Sequence, residues 1–186
     1  MNALVPLALL GTGLWAAQPP RQVAAKTEVT QAEQPAVKRS AMQSVEKSID
    51  KRLELTNPAD PFDVLGNTRG IYLRGVGVVL SAEVDLVRVP GLSPFHQAIG
   101  PEERVRVRAR KLQTLPKLRE AMKAALLAAA AELRSLPLNE NIVFGVTLFY
   151  FNGEDASGLP SQIVMQAVRQ QLVSPQGQDL IKVQEF

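Results

Sequence analysis

The sequence predicts an α+β, or small α/β, fold with a single sheet of three to four strands. Three observations lead to this class. Apolar residues alternate with other residues over positions 71–89, an Ala-rich apolar stripe runs through 115–136, and positions 142–151 are almost wholly apolar. The first and third patterns predict strands, and the second predicts a long helix. This Ala-rich helix and a second helix should pack on the sheet, preceded by an N-terminal helix and a tether.

An apolar segment precedes the first charged side chain, Arg21. It has the length of a signal-peptide core and falls short of the about 20 apolar residues of a membrane span. Ala16 and Ala17 offer a cleavage point, although no Lys or Arg comes earlier and Trp15 would occupy the −3 position. We therefore expect residues 1–17 to be a signal peptide and the protein to be exported, either periplasmic or secreted. A retained N-terminal anchor and a misassigned start are the alternatives, and no other transmembrane span is predicted.

Residues 18–39 mix Gln, Ala, Glu, Lys and Thr without an apolar period, which predicts a flexible linker. A helix is predicted over 40–56, with Ser40 as its N-cap and Pro58 just beyond its end. Its apolar residues recur every three or four positions and form one narrow stripe. We expect this stripe to pack on the protein's own domain, with pairing to a partner helix as the alternative. The stripe consists of Met42, Val45, Ile49 and Leu53.

Residues 57–186 are predicted to form the globular α+β domain, which begins with a turn-rich loop. A single strand over 71–89 would be about 60 Å long at about 3.3 Å per residue, which is too long for a small domain. Gly75 and Gly77 are the positions where a bulge or bend costs least. The sequence therefore predicts two strands here, or one strongly bent strand.

A helix is predicted to begin at Pro101, because proline suits the first helical turn and Glu102 and Glu103 face the positive end of the helix dipole. Residues 104–110 alternate in polarity and also fit a strand, but their start signal and their continuation favour a helix. Pro116 is expected to reset that helix.

The remaining elements follow from the apolar patterns of the C-terminal part. Residues 142–151 should form a central strand that is covered on both faces. Residues 159–173 predict a last helix, and 180–186 predict either a terminal strand or a frayed tail. The side chains expected in the core include Leu126, Phe144, Val146, Leu148 and Tyr150.

Composition excludes several chemistries. The chain has no cysteine, which excludes disulfides, thiolate zinc sites, iron–sulfur clusters and cysteine nucleophiles. Its single histidine, His96, excludes multi-histidine metal sites and is expected to be an exposed or capping residue. Gly75 and Gly77 form a G-x-G inside a strand, not at a strand-to-helix turn, so they are not a dinucleotide fingerprint. We expect no cofactor and no bound metal.

A basic segment is the strongest charge asymmetry of the chain. Residues 104–123 hold eight basic residues and one acidic residue, net +7, whereas the whole chain carries +3, so the remainder carries −4. Such a segment predicts binding to an anionic envelope polymer or lipid, and a solvated helix face is the alternative. Nucleic acid is disfavoured, because no aromatic residues interleave with the arginines. The candidate binding residues are Arg104, Arg106, Arg108, Arg110 and Lys111.

Two carboxylates form a second candidate site. Glu83 and Asp85 fall on the same face of the predicted strand, about 7 Å apart. Converging carboxylates serve glycosidases and hard-cation sites, whereas the alternative is the solvated face of an amphipathic strand.

The sequence thus predicts an exported, non-catalytic binding or structural domain that acts through a protein partner or an anionic envelope surface. One alternative is a hydrolase or other enzyme that uses strand carboxylates such as Glu83 and Asp85. The other is an assembly or scaffold subunit that uses the helix over 40–55.

Overall fold

Helix α1, Arg39–Thr56, begins the described part of the fold. In the computed structural model the described residues are 36–56, 58, 61–87 and 100–186, all within the compact unit Gln34–Phe186. The predicted signal peptide, most of the predicted linker and His96 lie outside them. The last residues assigned to the linker are part of the fold, because Val37 is buried and Arg39 starts α1.

A hairpin takes the place of one long strand over 71–89. β2, Arg69–Leu73, and β3, Gly77–Asp85, pair antiparallel through a turn at residues 74–76, which confirms the predicted break. Gly77 has a φ of 129°, and a Cβ at this position would collide with the Asn141 backbone carbonyl. Glycine is therefore required there, because L-residues with a side chain rarely adopt that φ. A two-residue strand β1, Asp63–Val64, pairs with the far end of β3.

Helix α2, Pro101–Glu132, runs without interruption through the segment whose pattern also fitted a strand. Only one of the two valines in that segment is buried: Val107 is 1% exposed and Val105 is 70% exposed. This difference is what a helix produces, since residues two apart point in different directions. Pro116 lies inside α2, so it does not end the helix.

The sheet has six strands, which corrects the expected three to four. β4, Asn141–Leu148, lies beside β3 and parallel to it, with α2 as the crossover. β5, Gln162–Val168, pairs antiparallel with β4, and β6, Lys182–Glu185, pairs antiparallel with β5. The fold is mixed α+β, as predicted.

The helix predicted over 159–173 is wrong in its larger part. That stretch forms β5 and then the single-turn helix α3, Arg169–Leu172, followed by a 3-10 turn, Gly177–Leu180. Ile163, Met165 and Ala167 are buried at alternate positions. The apolar residues here fit a helical period as well, and pairing with β4 and β6 decides for a strand.

One face of the sheet carries the hydrophobic core beneath α1 and α2. Phe144, Val146, Leu148 and Leu126 are buried as predicted, whereas Tyr150 is half-buried. On the opposite face Val79 and Val143 are half-buried and Ile71 is 57% exposed. The described residues therefore leave this face open, which corrects the expectation that β4 is covered on both sides. The apolar stripe of α1 is buried, as expected for packing on its own domain; its members are Met42, Val45, Ile49 and Leu53.

Candidate functional site

A groove runs between α1 and α2 on the helical side of the molecule. The two helices are antiparallel, because the start of α1 lies near the end of α2 and the end of α1 lies near Ala121 and Ala124. Ser48 Oγ on α1 donates to Glu132 Oε1 on α2 at 2.8 Å. Two adjoining cavities of about 470 Å³ and about 800 Å³ lie along the groove and share Ser48 and Lys51. Small side chains line much of it: Ala41, Ser44, Ser48, Ala121, Ala124 and Ala131.

The larger side chains of the groove are mostly cationic. Exposed Lys47, Lys51, Arg52 and Arg134 line it together with one acidic residue, Glu132, so the lining carries +3. Among the described residues, these four cations form no ion pair with an acidic side chain. We call this feature the cationic groove. It presents positive charge above a floor of small residues.

The five basic residues that the sequence predicted to bind an anionic surface, at the start of α2, lie in different environments. Arg106 pairs within the helix, at 3.4 Å from Glu102 and 3.7 Å from Glu103. Arg108 Nε donates to the Ser157 carbonyl at 2.9 Å and lies 3.5 Å from Asp155.

The other three members of the predicted patch divide between surface and interior. Arg104 and Arg110 are exposed but have interactions of their own. Lys111 is wholly buried, which corrects its assignment to a surface patch. Three of the five cations, Arg106, Arg108 and Lys111, thus have acidic partners within the protein.

Lys111 lies at the centre of a buried ionic cluster. Its Nζ is 3.0 Å from Asp85 Oδ1 and 2.9 Å from Glu154 Oε1, and it donates to Glu154 Oε2 at 3.1 Å. It also donates to the Phe149 carbonyl at 3.1 Å and lies 4.9 Å from the centre of the Tyr150 ring. The ammonium therefore joins α2 to the end of β3 and to the segment after β4. We call these three ionised groups the Lys111 cluster: Asp85, Lys111 and Glu154.

The Lys111 cluster carries a net charge of −1 when all three groups are ionised, because two carboxylates share one ammonium. Burial raises the pKa of Asp85 from its ordinary value of 3.8, and Lys111 opposes this effect only in part. Burial, together with the nearby carboxylates Glu154 and Asp85, raises the pKa of Tyr150 to about 12. The Tyr150 hydroxyl donates to the Pro160 carbonyl at 2.6 Å. Uptake of a proton by Asp85 would make the cluster neutral.

The two carboxylates of the predicted pair lie in different environments. Glu83 is exposed, whereas Asp85 is 4% exposed and its carboxylate contacts Lys111. Both residues lie on β3, but Asp85 belongs to a stretch, residues 84–87, in which every residue is buried. The sequence analysis missed the contact between Lys111 and Asp85, although one feature of the sequence indicated that Lys111 is buried. Lys111 continues the helical stripe of Leu115 and Leu118 one turn earlier.

The sequence left open that the apolar stripe of α1 contacts a partner helix. In the structure this stripe has no free surface. All four of its apolar residues lie in the hydrophobic core. The groove residues Ser44, Ser48 and Lys51 lie on another side of α1, beside α2. A partner that contacts α1 would therefore meet its exposed residues and not this stripe.

In comparisons with known proteins, the chain gives no match to a family model, to a curated protein or to a solved structure. In the described ranges, no helix has the length and apolar character to cross a membrane. The same ranges hold no group of three or more His, Cys, Asp or Glu residues placed to bind a metal ion.

Proposed function

We propose that the protein is an exported, non-catalytic binding domain that holds an acidic protein partner in the cationic groove. The observation that carries this proposal is the groove itself, in which four exposed cations face one acidic residue. Opposite charges across an interface raise the association rate and select partners. The groove is also as long as a short chain segment, since its lining runs from Ala41 to Thr56 along α1.

The hydrolase alternative has less support from the geometry. A carboxylate pair must converge on one substrate atom, and Glu83 is exposed while Asp85 contacts a buried lysine. The scaffold alternative, in which the apolar stripe of α1 pairs with another helix, would require Met42, Val45 and Ile49 to leave the core. Both alternatives need a rearrangement, and binding in the groove needs none.

Binding of poly-L-glutamate to the full chain tests the acidic-partner proposal. Affinity should fall steeply as salt shortens the screening length from about 10 Å at about 0.1 M to about 3 Å at about 1 M. The double variant Lys51→Glu/Arg52→Glu should bind about tenfold more weakly or worse. Its matched control is Arg69→Glu/Lys182→Glu, which reverses two exposed cations on strands outside the groove and should bind nearly as the parent does.

Vesicles containing phosphatidylglycerol provide the second arm of this experiment. Binding to vesicles without binding to poly-L-glutamate would overturn the protein-partner proposal and favour an anionic envelope surface. Equal losses in the groove variant and the strand control would show that the groove does not form the site.

Export has its own test. Intact-mass analysis of periplasmic or secreted material should find a chain that lacks residues 1–17, because the apolar segment ends there in small residues. A full-length chain confined to the cytosol would contradict export and leave the groove proposal intact.

A further inference from the structure

We infer that the partner of the cationic groove is an amphipathic α-helix with acidic side chains along its flanks, which packs as a third helix across α1 and α2. This inference rests on the proposed function and adds the shape of the partner. It follows from the dimensions of the groove, the spacing of its cations and the apolar surface between them.

The floor of the groove allows a helix to come close. Packed helices lie about 8–10 Å apart, and the shorter distances need small side chains at the contact. The groove supplies them on both helices, with Ala41 and Ser44 on α1 and Ala124 and Ala131 on α2. From Ala41 to Leu55 the groove is about 21 Å long at about 1.5 Å per residue, or about four helical turns.

The cations follow a helical spacing. Lys47, Lys51 and Leu55 are four residues apart on α1, so they form one ridge along the groove, with Lys47 and Lys51 about 6 Å apart. Arg134 lies on the opposite side, just beyond α2. Acidic residues four apart on a partner helix repeat at the same distance and can face both lysines. An acidic residue on its other flank can face Arg134.

The apolar surface of the groove distinguishes a helical partner from a purely anionic polymer. Leu55 is 60% exposed at one end of the groove, and alanines line the space between the cations. A helix with an apolar stripe buries this surface and pairs with the cations at the same time. A chain that carries charge alone satisfies only the cations.

A designed peptide pair tests the inference on the full chain. The first peptide has about 18 residues, about five turns, with an Ala/Leu stripe and Glu residues four apart on each flank. The second has the same composition in scrambled order, so its charge is equal and its stripe is lost. Fluorescence anisotropy should show about tenfold tighter binding of the amphipathic peptide, and circular dichroism should show its helicity rising on binding.

A bulky side chain placed on the groove floor tests whether binding depends on close helix packing or on charge attraction alone. Ala124→Trp should weaken binding of the amphipathic peptide about tenfold and leave poly-L-glutamate binding unchanged. Its control is Ala109→Trp, at an exposed alanine of α2 outside the groove, which should change neither. Ala131→Trp, in the second cavity, repeats the measurement if the first variant unfolds.

The outcomes distinguish the two proposals. If both peptides bind equally and Ala124→Trp changes nothing, the helical partner is excluded while acidic binding in the groove stands. If neither peptide nor poly-L-glutamate binds, the proposed function itself is contradicted, and the inference with it.

Discussion

At the scale of single residues, Lys111 has the most demanding environment. A buried ammonium costs several kcal/mol in lost hydration, and its partners must offset that cost. Asp85, Glu154 and the Phe149 carbonyl do so here, all within 3.1 Å of Nζ. The cluster thereby links α2, β3 and the segment after β4.

Removal of the ammonium should destabilise the fold strongly. Lys111→Met leaves two buried carboxylates without a cation, and breaking a buried pair in this way costs about 3–5 kcal/mol. Denaturant unfolding at neutral pH measures the loss. Lys47→Met, at an exposed lysine, serves as the control and should change stability by less than about 0.5 kcal/mol. A loss below about 1 kcal/mol for Lys111→Met would mean that the two carboxylates do not depend on this lysine.

The Lys111 cluster also predicts a pH dependence. The pKa of Asp85 is raised in the folded protein above its ordinary value of 3.8, so folding favours the protonated acid. Its stabilising contribution is complete below the unfolded pKa and is lost as pH rises through the folded pKa.

Asp85→Asn removes this titration but keeps an oxygen that can accept from Lys111. Unfolding free energies measured from acidic to neutral pH should show the parent losing stability relative to this variant as pH rises. Parallel curves would refute the assignment. Asp155→Asn, at an exposed carboxylate whose pKa is lowered by its bonds to Ser157, should show the opposite trend.

At the scale of elements, the β2–β3 hairpin depends on one glycine. Gly77→Ala places a Cβ against the Asn141 backbone on the neighbouring strand, besides the strained φ of 129°. Thermal unfolding should show a cost well above the about 1–2 kcal/mol of a left-handed residue alone. Gly75→Ala is the control, with a φ of 76° and open space around it, and should cost about that amount. Equal losses would mean that the approach to Asn141 is not a constraint.

At the scale of the whole molecule, α1 belongs to the folded unit and is not an appendage. It contributes four apolar side chains to the core, and Glu46 accepts from the Gly70 backbone of β2 at 2.8 Å. A chain beginning at residue 36 should therefore unfold cooperatively near the temperature of the full chain. A chain beginning at residue 57 exposes the core beneath α1 and should lose cooperative unfolding. Retained cooperativity in the shorter chain would contradict this view of α1.

The sequence predicted those elements that local patterns determine. The α1 stripe, the break before Gly77 and the central position of Phe144 needed only periodicity and glycine chemistry. Residues 159–173 were misassigned because their apolar spacing fits either period and strand pairing decides between them. The cationic groove could not be predicted from the sequence for a related reason. Lys51 and Arg134 are distant in sequence, and only the antiparallel packing of α1 and α2 brings them together.

The parallel pairing of β3 with β4 has a consequence for how the chain folds. Strand β2 immediately precedes β3 in the chain, so the backbone groups on one edge of β3 can pair early. Residues 86–140 separate β3 from β4, which pairs with its other edge. Contacts between segments so distant in sequence form late, because closing a long loop costs entropy before it brings any gain. Until then β3 exposes the unpaired backbone N–H and C=O groups of one edge and its apolar side chains to other chains, as transient folding intermediates do. During synthesis, the interval between the emergence of β3 and that of β4 is when the nascent chain most needs protection from aggregation.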